Sequence, residues 1–504
     1  MIAKAHSATL SGIEALPIVC EVDLKQSIKP EVQLVGLPDQ AVAESKVRVK
    51  SAIRNSDLSL PNDLIIINLA PGDIRKEGPL LDLPIAIAVL QAYSQIAEGE
   101  LDRTVMAGEL GLDGMLRPID GAVSIAIMAA EKGFERLILP AVNALEAAVI
   151  PGLKVYGCES LVDVVHILNG AEHILPVEFS PPTGTELTPY DIDFADVKGQ
   201  KPAIRALEIA AAGGHNLLMV GPPGSGKTML ARRLPTILPP LSLSESIEVT
   251  RIYSNSGNKG GAQGLLWERP FRAPHHSASH PSIVGGGKVP KPGEVSLAHK
   301  GVLFMDEMPE FDRSVLEALR QPLEDQIVTV SRVQASTTFP AECMLVGAMN
   351  PCPCGFKGLP EQKCVSSPTV CGRYASKISG PLLDRIDLHI EVPRLVPEDL
   401  LNAPTGEPSS AIRERVIRAR EIQHQRLGGA RLNSTMLPKD IRELIILSDE
   451  CKDFMKLVMT KMNLSGRVFD RILKVSRTIA DLAGAPDVTK THMAEAVQYR
   501  ERMD

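Results

Sequence analysis

Hydrophobic and polar positions are arranged differently along three stretches of the chain. Between residues 191 and 395, short runs that are apolar throughout, Leu217 to Val220, Val302 to Met305 and Leu345 to Met349, alternate with segments of helical spacing. Strands without a polar face must be covered on both sides, so this stretch predicts a doubly wound α/β core with a parallel sheet. Residues 1–175 read as another α/β unit, with strands at Glu31 to Val35 and Leu64 to Leu69 and helices at Gln40 to Asn55 and Pro84 to Tyr93. A Pro-rich polar stretch, 176–190, reads as a linker. Over 396–504 the strand signal vanishes and amphipathic helices dominate, notably Ile412 to Leu427 and Arg467 to Leu482. Two features interrupt the core: an insertion over 265–300 with a glycine-rich tip, and two β-prone runs between Ile327 and Phe339 that predict a hairpin.

Composition changes this picture little. At 504 residues the chain is expected to form about three domains. No apolar run approaches the roughly 20 residues that span a bilayer, and the first residues lack a secretory pattern, so a cytoplasmic protein with no membrane partner is expected. The net charge of −7 gives no global attraction to nucleic acid, so any DNA contact must come from a local basic lining. An aromatic content of 3 % argues against an extended platform for stacking bases.

The strongest chemical signal follows the Leu217 to Val220 run: Gly221, Pro222, Pro223, Gly224, Ser225, Gly226, Lys227 and Thr228. This is a complete phosphate-binding loop. Its glycines let successive N–H groups face a polyphosphate, Lys227 adds a point charge, and the Thr228 hydroxyl can ligate magnesium; ATP and Mg²⁺ are the expected cofactors. The run ending at Met305 leads into Asp306 and Glu307. Asp306 is suited to the magnesium shell beside Thr228, and Glu307 to orienting and polarising an attacking water.

Four of the eight cysteines are scattered, whereas Cys352, Cys354, Cys364 and Cys371 crowd one polar segment rich in Pro and Gly. Four thiolates can close a tetrahedral Zn²⁺ shell, and such a loop would gain order from it; four reduced thiols are the alternative. His275, His276 and His280 lie near Arg269 and Arg272. Their uneven spacing matches no standard ligand set, and a structural or inter-subunit role is expected.

Further motifs carry family resemblances. The run Leu345 to Asn350 resembles the sensor-1 strand of AAA+ ATPases, which implies that Asn350 faces the γ-phosphate or the lytic water. The segment Ser379 to Asp387 resembles the arginine-finger segment of magnesium-chelatase-type AAA+ proteins, with Arg385 as the finger reaching a neighbour's nucleotide. The segment from Ser465 resembles their sensor-2 lid helix, with Arg467 in the sensor position. Residues 1–175 resemble the Lon protease domain, a ribosomal-S5-domain-2-like α/β fold, through Asn68 to Pro84, Gly108 to Gly114 and Gly133 to Pro140. Leu80 stands where Lon has its nucleophilic serine and Val123 where it has the paired lysine. Leucine cannot attack a carbonyl and valine cannot accept a proton, so peptide hydrolysis is not expected.

The order of Lon-like domain, AAA+ core and helical lid is similar to that of the YifB/ComM family across essentially the whole chain. The resemblance implies an ATP-hydrolysing homo-hexamer that acts as a branch-migration helicase on single-stranded and branched DNA during natural transformation, alongside recombination proteins. It points to Lys288, Lys291 and Arg332, on the glycine-rich tip and the hairpin, as contacts to the phosphate backbone. Two alternatives share the core: a magnesium-chelatase motor subunit, which lacks a Lon-like domain, and a protein-remodelling ATPase, which would carry an aromatic residue at its pore hairpin.

Overall fold

The computed structural model describes residues 2–27, 31–60, 63–171, 174–181, 190–257, 264–287, 290–331, 336–357, 364–395, 405–462 and 464–500. They form two compact units, one of residues 1–186 with 242–267, the other of 187–241 with 268–504. Most of the 176–190 stretch lies outside the described residues.

The first unit is built on a seven-stranded mixed sheet in the order Glu31–Val35, Leu64–Ala70, Glu14–Lys25, Ile2–Ser11, Thr104–Met106, Arg136–Pro140, Lys154–Cys158. Its centre is an antiparallel hairpin whose register runs from Ile2 opposite Asp23 to Ser11 opposite Glu14. The helix Gln40–Asn55 starts at Asp39, whose carboxylate accepts from the Val42 N–H at 2.8 Å and satisfies one of the free donors of the first turn. The next helix, Asp82–Ala92, begins two residues before the predicted Pro84, and Arg48 holds the buried Asp82 carboxylate through two bonds, of 2.6 and 3.0 Å.

The helix Leu243–Ser256 and the segment up to Trp267 also belong to this unit, although they interrupt the core stretch in sequence. A capping box between Ser242 and Glu245 starts the helix, and Leu265 and Trp267 join the unit's apolar core. Ser124, next to the position that carries lysine in Lon, is fully engaged here. Its hydroxyl donates to the Ile13 carbonyl at 2.6 Å and accepts from Asn255 at 2.9 Å and Arg251 at 3.2 Å. Neither donor can take a proton from it, and Leu80 and Val123 are buried.

The second unit contains a five-stranded sheet in the order Phe271–Arg272, Val302–Met305, Met344–Met349, Leu217–Val220, Leu388–Glu391, every pair parallel. Its three central strands are buried along their whole length, as apolar runs covered on both faces must be. The predicted hairpin is present as Ile327–Ser331 paired with Ser336–Pro340. After the sheet the chain is helical, with Ser409–Leu427, Pro438–Leu444, Asp449–Met462, Gly466–Leu482 and Lys490–Gln498. Buried ionic contacts fasten the Gly466–Leu482 helix. Asp481 accepts from Arg426 at 2.6 and 2.8 Å and from Arg477 at 3.1 Å, and Asp387 accepts from Arg471 at 2.8 Å while contacting His215 at 3.2 Å. Burial opposes ionisation of Asp387, yet His215, Arg471 and Arg500 hold its carboxyl well below the usual range. Among the described residues, no helix is long and apolar enough to cross a membrane.

Candidate nucleotide-binding site

The Leu217–Val220 strand lies inside the sheet, so the loop that follows emerges at the carboxyl edge between two neighbouring strands, where open α/β sheets bind their ligands. Gly221 is required by packing: a Cβ there would stand 2.2 Å from the Val392 carbonyl oxygen. Gly226 adopts φ +92° as it hands the chain to the helix Lys227–Ile237. The buried Lys227 ammonium donates to the carbonyls of Gly221 and Pro222 at 2.7 and 2.9 Å and to Asn350 Oδ1 at 3.3 Å. Burial lowers its pKa, while Asp306 and Glu307 act to raise it.

The opposite wall comes from two other strand ends. Thr228 Oγ1 donates to Asp306 Oδ2 at 2.7 Å, which brings together the hydroxyl and carboxylate that a magnesium ion beside a phosphate loop needs. Glu307 follows with φ +49°, a left-handed conformation costly for a side chain with a Cβ and recurrent at functional sites. With Asn350 these groups line an open cleft of about 440 Å³. Ser225 Oγ, buried in the loop, has no hydrogen-bond partner among the described residues. A cleft with a seated lysine, a hydroxyl–carboxylate pair and an unsatisfied loop donor fits a magnesium-bound nucleoside triphosphate.

His276 joins this site from outside the phosphate-loop and strand-end motifs. His276 Nδ1 lies 3.5 Å from Glu307 Oε2, and its ring packs against that of His275 with centroids 4.1 Å apart. The paired histidines were conspicuous, but their spacing pointed to no partner.

Arg385 and Arg467 do not line the phosphate cleft. Arg385 donates to the Pro381 carbonyl at 2.8 Å and is ion-paired with Glu324, beside a separate open cleft that His280 and Glu317 also line. The hydrogen bond from Arg385, with the charges of Arg385, Arg467 and Arg471, holds the Glu324 carboxyl below its ordinary value. Arg385 thus pairs with an acidic residue that does not line the phosphate cleft of its own chain.

Three of the four clustered cysteines, Cys352, Cys364 and Cys371, bring their sulfurs within 4.8 Å of one another, and Cys354 lies against Cys352 and Cys364. The Sγ atoms of Cys352 and Cys354 are 3.3 Å apart, Cys354 and Cys364 3.4 Å, Cys352 and Cys364 3.6 Å, and Cys364 and Cys371 3.7 Å. A zinc–sulfur bond of about 2.3 Å sets tetrahedral edges of about 3.8 Å, close to these separations, so Cys352, Cys364 and Cys371 fit a thiolate-bound metal with Cys354 adjacent as the fourth donor. Of the DNA-contact candidates, Lys291 is exposed on a two-residue ladder, Lys291–Pro292 against Gly285–Gly286, whereas Lys288 and Arg332 lie outside the described residues.

A parallel sheet of this order, a phosphate loop on an inner strand, two acids ending the neighbouring Val302–Met305 strand and a helical carboxyl-terminal region define a magnesium-chelatase-like AAA+ protein. Profiles described as magnesium chelatase subunit ChlI match residues 193–400 and 20–143, and one for the ChlI C-terminal region matches 406–500. The chain is 45 % identical over 503 residues to "Competence protein ComM" of Haemophilus influenzae, covering 99 % of this chain and 97 % of that protein. It is 43 % identical over 512 residues to "Uncharacterized protein YifB" of Escherichia coli, covering 98 % and 96 %. A more distant similarity, 28 % identity over 168 residues, connects 30 % of the chain with 28 % of "Lon protease 2" of Bacillus subtilis. The chain belongs to the ComM/YifB family.

Proposed function

We propose that this chain is an ATP-hydrolysing DNA motor that works as a homo-hexamer and drives branch migration in homologous recombination during natural transformation. The observation that carries the reading is the split of the ATP machinery. Lys227, Thr228, Asp306, Glu307 and Asn350 gather around one cleft, while Arg385 stands beside another. Such a site is completed by a second copy of the chain, which favours a ring. The competence-protein name of the relative from Haemophilus influenzae supports DNA as the substrate.

In this reading Lys227 and the loop N–H groups hold the phosphates. Thr228 and Asp306 hold the magnesium ion, which when bound neutralises charge on the phosphates. Glu307, steadied by His276, orients the attacking water, and Asn350 monitors the γ-phosphate. Arg385 of the neighbouring copy stabilises charge on the transferring group. Arg467, in the sensor-2 position of the lid helix, is assigned to the nucleotide of its own copy. The Lon-like unit serves as a non-proteolytic module, Lys288, Lys291 and Arg332 contact the DNA backbone, and the cysteine cluster holds a structural Zn²⁺. Cytoplasmic recombination proteins are the expected partners.

The experiment is strand exchange on a labelled branched DNA junction with the purified protein. Branch movement that requires ATP and disappears in Glu307→Gln is expected; junctions bound but unmoved, or movement without ATP, would refute the motor.

A further inference from the structure

The cysteine cluster is wired to the ATP site from two directions. Cys352 and Cys354 stand two and four positions after Asn350, and the turn they make lies against the phosphate loop: a Cβ on Gly355 would come within 2.5 Å of Pro223 Cδ. Cys371 sits on the helix Pro368–Ala375, and the buried Tyr374 on that helix lies by the main chain of Asn350. The turn is shaped around sulfur as well, since the Lys357 N–H donates to Cys352 Sγ at 3.3 Å and the Gly355 N–H to the Cys352 carbonyl at 2.9 Å. One ion shared by the four thiolates would therefore tie the turn that abuts Pro223 to the helix that sets Tyr374 beside Asn350.

We propose that a single Zn²⁺ on Cys352, Cys354, Cys364 and Cys371 is a brace for the ATP site, fixing Asn350 and the phosphate loop so that nucleotide affinity and turnover depend on metal loading. Binding joins four thiolates to one Zn²⁺ with release of their protons and no change of oxidation state. The cysteines and Tyr374 act as positioning residues, through Asn350 and Pro223. The inference rests on reading the phosphate cleft as an ATP site.

The test uses full-length protein made in zinc-supplemented cells, with Cys364→Ser, Cys371→Ser and Tyr374→Phe. Metal per chain is measured by atomic emission, affinity with a fluorescent ATP analogue, and turnover by phosphate release. We expect about one zinc per parent chain. Both cysteine variants should lose it, with affinity weakened several-fold and turnover lowered on the order of tenfold. Tyr374→Phe should keep the zinc and still lose part of the turnover, which a zinc that merely stabilises the local fold would not cause. A parent without zinc, or with iron in its place, overturns the site. Zinc loss with parent-level affinity and turnover overturns the brace. A parent that binds the analogue without hydrolysing ATP sinks the motor reading alone, and affinity then decides the brace. Should both cysteine variants fail to fold, Tyr374→Phe at parent affinity and turnover overturns it.

Discussion

Gly355→Ala probes the contact between the cysteine turn and the phosphate loop with the smallest possible side chain. The new Cβ would lie 2.5 Å from Pro223 Cδ and 2.8 Å from its Cγ, where carbon atoms ordinarily rest about 3.5–4.0 Å apart. One of the two loops must therefore yield by about 1 Å. Gly355 also has φ +82°, which costs an alanine about 1 kcal/mol, and overpacking adds about 1–3 kcal/mol. The stability loss is then about 2–4 kcal/mol, small enough to leave a folded protein with a lowered melting temperature. The catalytic loss is larger in proportion, because a displacement of about 1 Å at a positioning element can cost about 10²-fold in rate. Gly372→Ala is the control, since it lies in the helix beside Cys371 with nothing within 4 Å of its added Cβ. That change should be neutral or slightly stabilising. Thermal melts and steady-state ATP turnover over a range of ATP concentrations separate the two variants. If Gly355→Ala and Gly372→Ala share parent values of kcat and KM, the coupling of the cysteine turn to the phosphate loop is wrong.

Other perturbations address the remaining contacts. Arg385→Ala should lower turnover by about 10³-fold while leaving ATP-analogue binding intact. Mixing it with Lys227→Ala should restore part of the activity, because each lacks what the other supplies across an interface; no recovery on mixing would argue against a finger in trans. Glu324→Gln removes the charge that pairs with Arg385 and should raise turnover a few-fold at low protein concentration, with an unchanged rate counting against a parked finger. Asp387→Asn should cost about 3–5 kcal/mol at pH 7 by leaving buried cations without their counter-charge. The Asp387 carboxyl is depressed in the folded state, so its contribution is complete above about pH 4 and is lost as pH falls below that toward the folded value. Urea melts of parent and variant should therefore converge in acid, and a constant gap would refute the assignment.

The catalytic skeleton was legible in sequence because each part obeys a local rule. A phosphate loop needs glycines at fixed positions, and Gly221 and Gly226 meet a backbone contact and a positive φ that other residues would not accept. Buried parallel strands need unbroken apolar runs, as at Val302–Met305. Contacts between distant segments were hidden. No local period reveals that Leu243–Ser256 packs against Ser124 rather than within the core stretch that surrounds it in sequence. The pairs His276–Glu307, Glu324–Arg385 and Gly355–Pro223 follow from how loops cross at the sheet edge, which composition and spacing do not encode. The four cysteines fall between: their crowding was visible and their convergence was not.

ATP turnover by the purified protein with no DNA, single-stranded DNA, duplex and a four-way junction, with Lys227→Ala as the blank, decides whether this ATPase is a DNA motor. Strong stimulation by DNA, greatest for the branched substrate, is expected, with none in the blank. Turnover equal across all four conditions would contradict a DNA motor and turn attention to a protein or porphyrin-pathway partner.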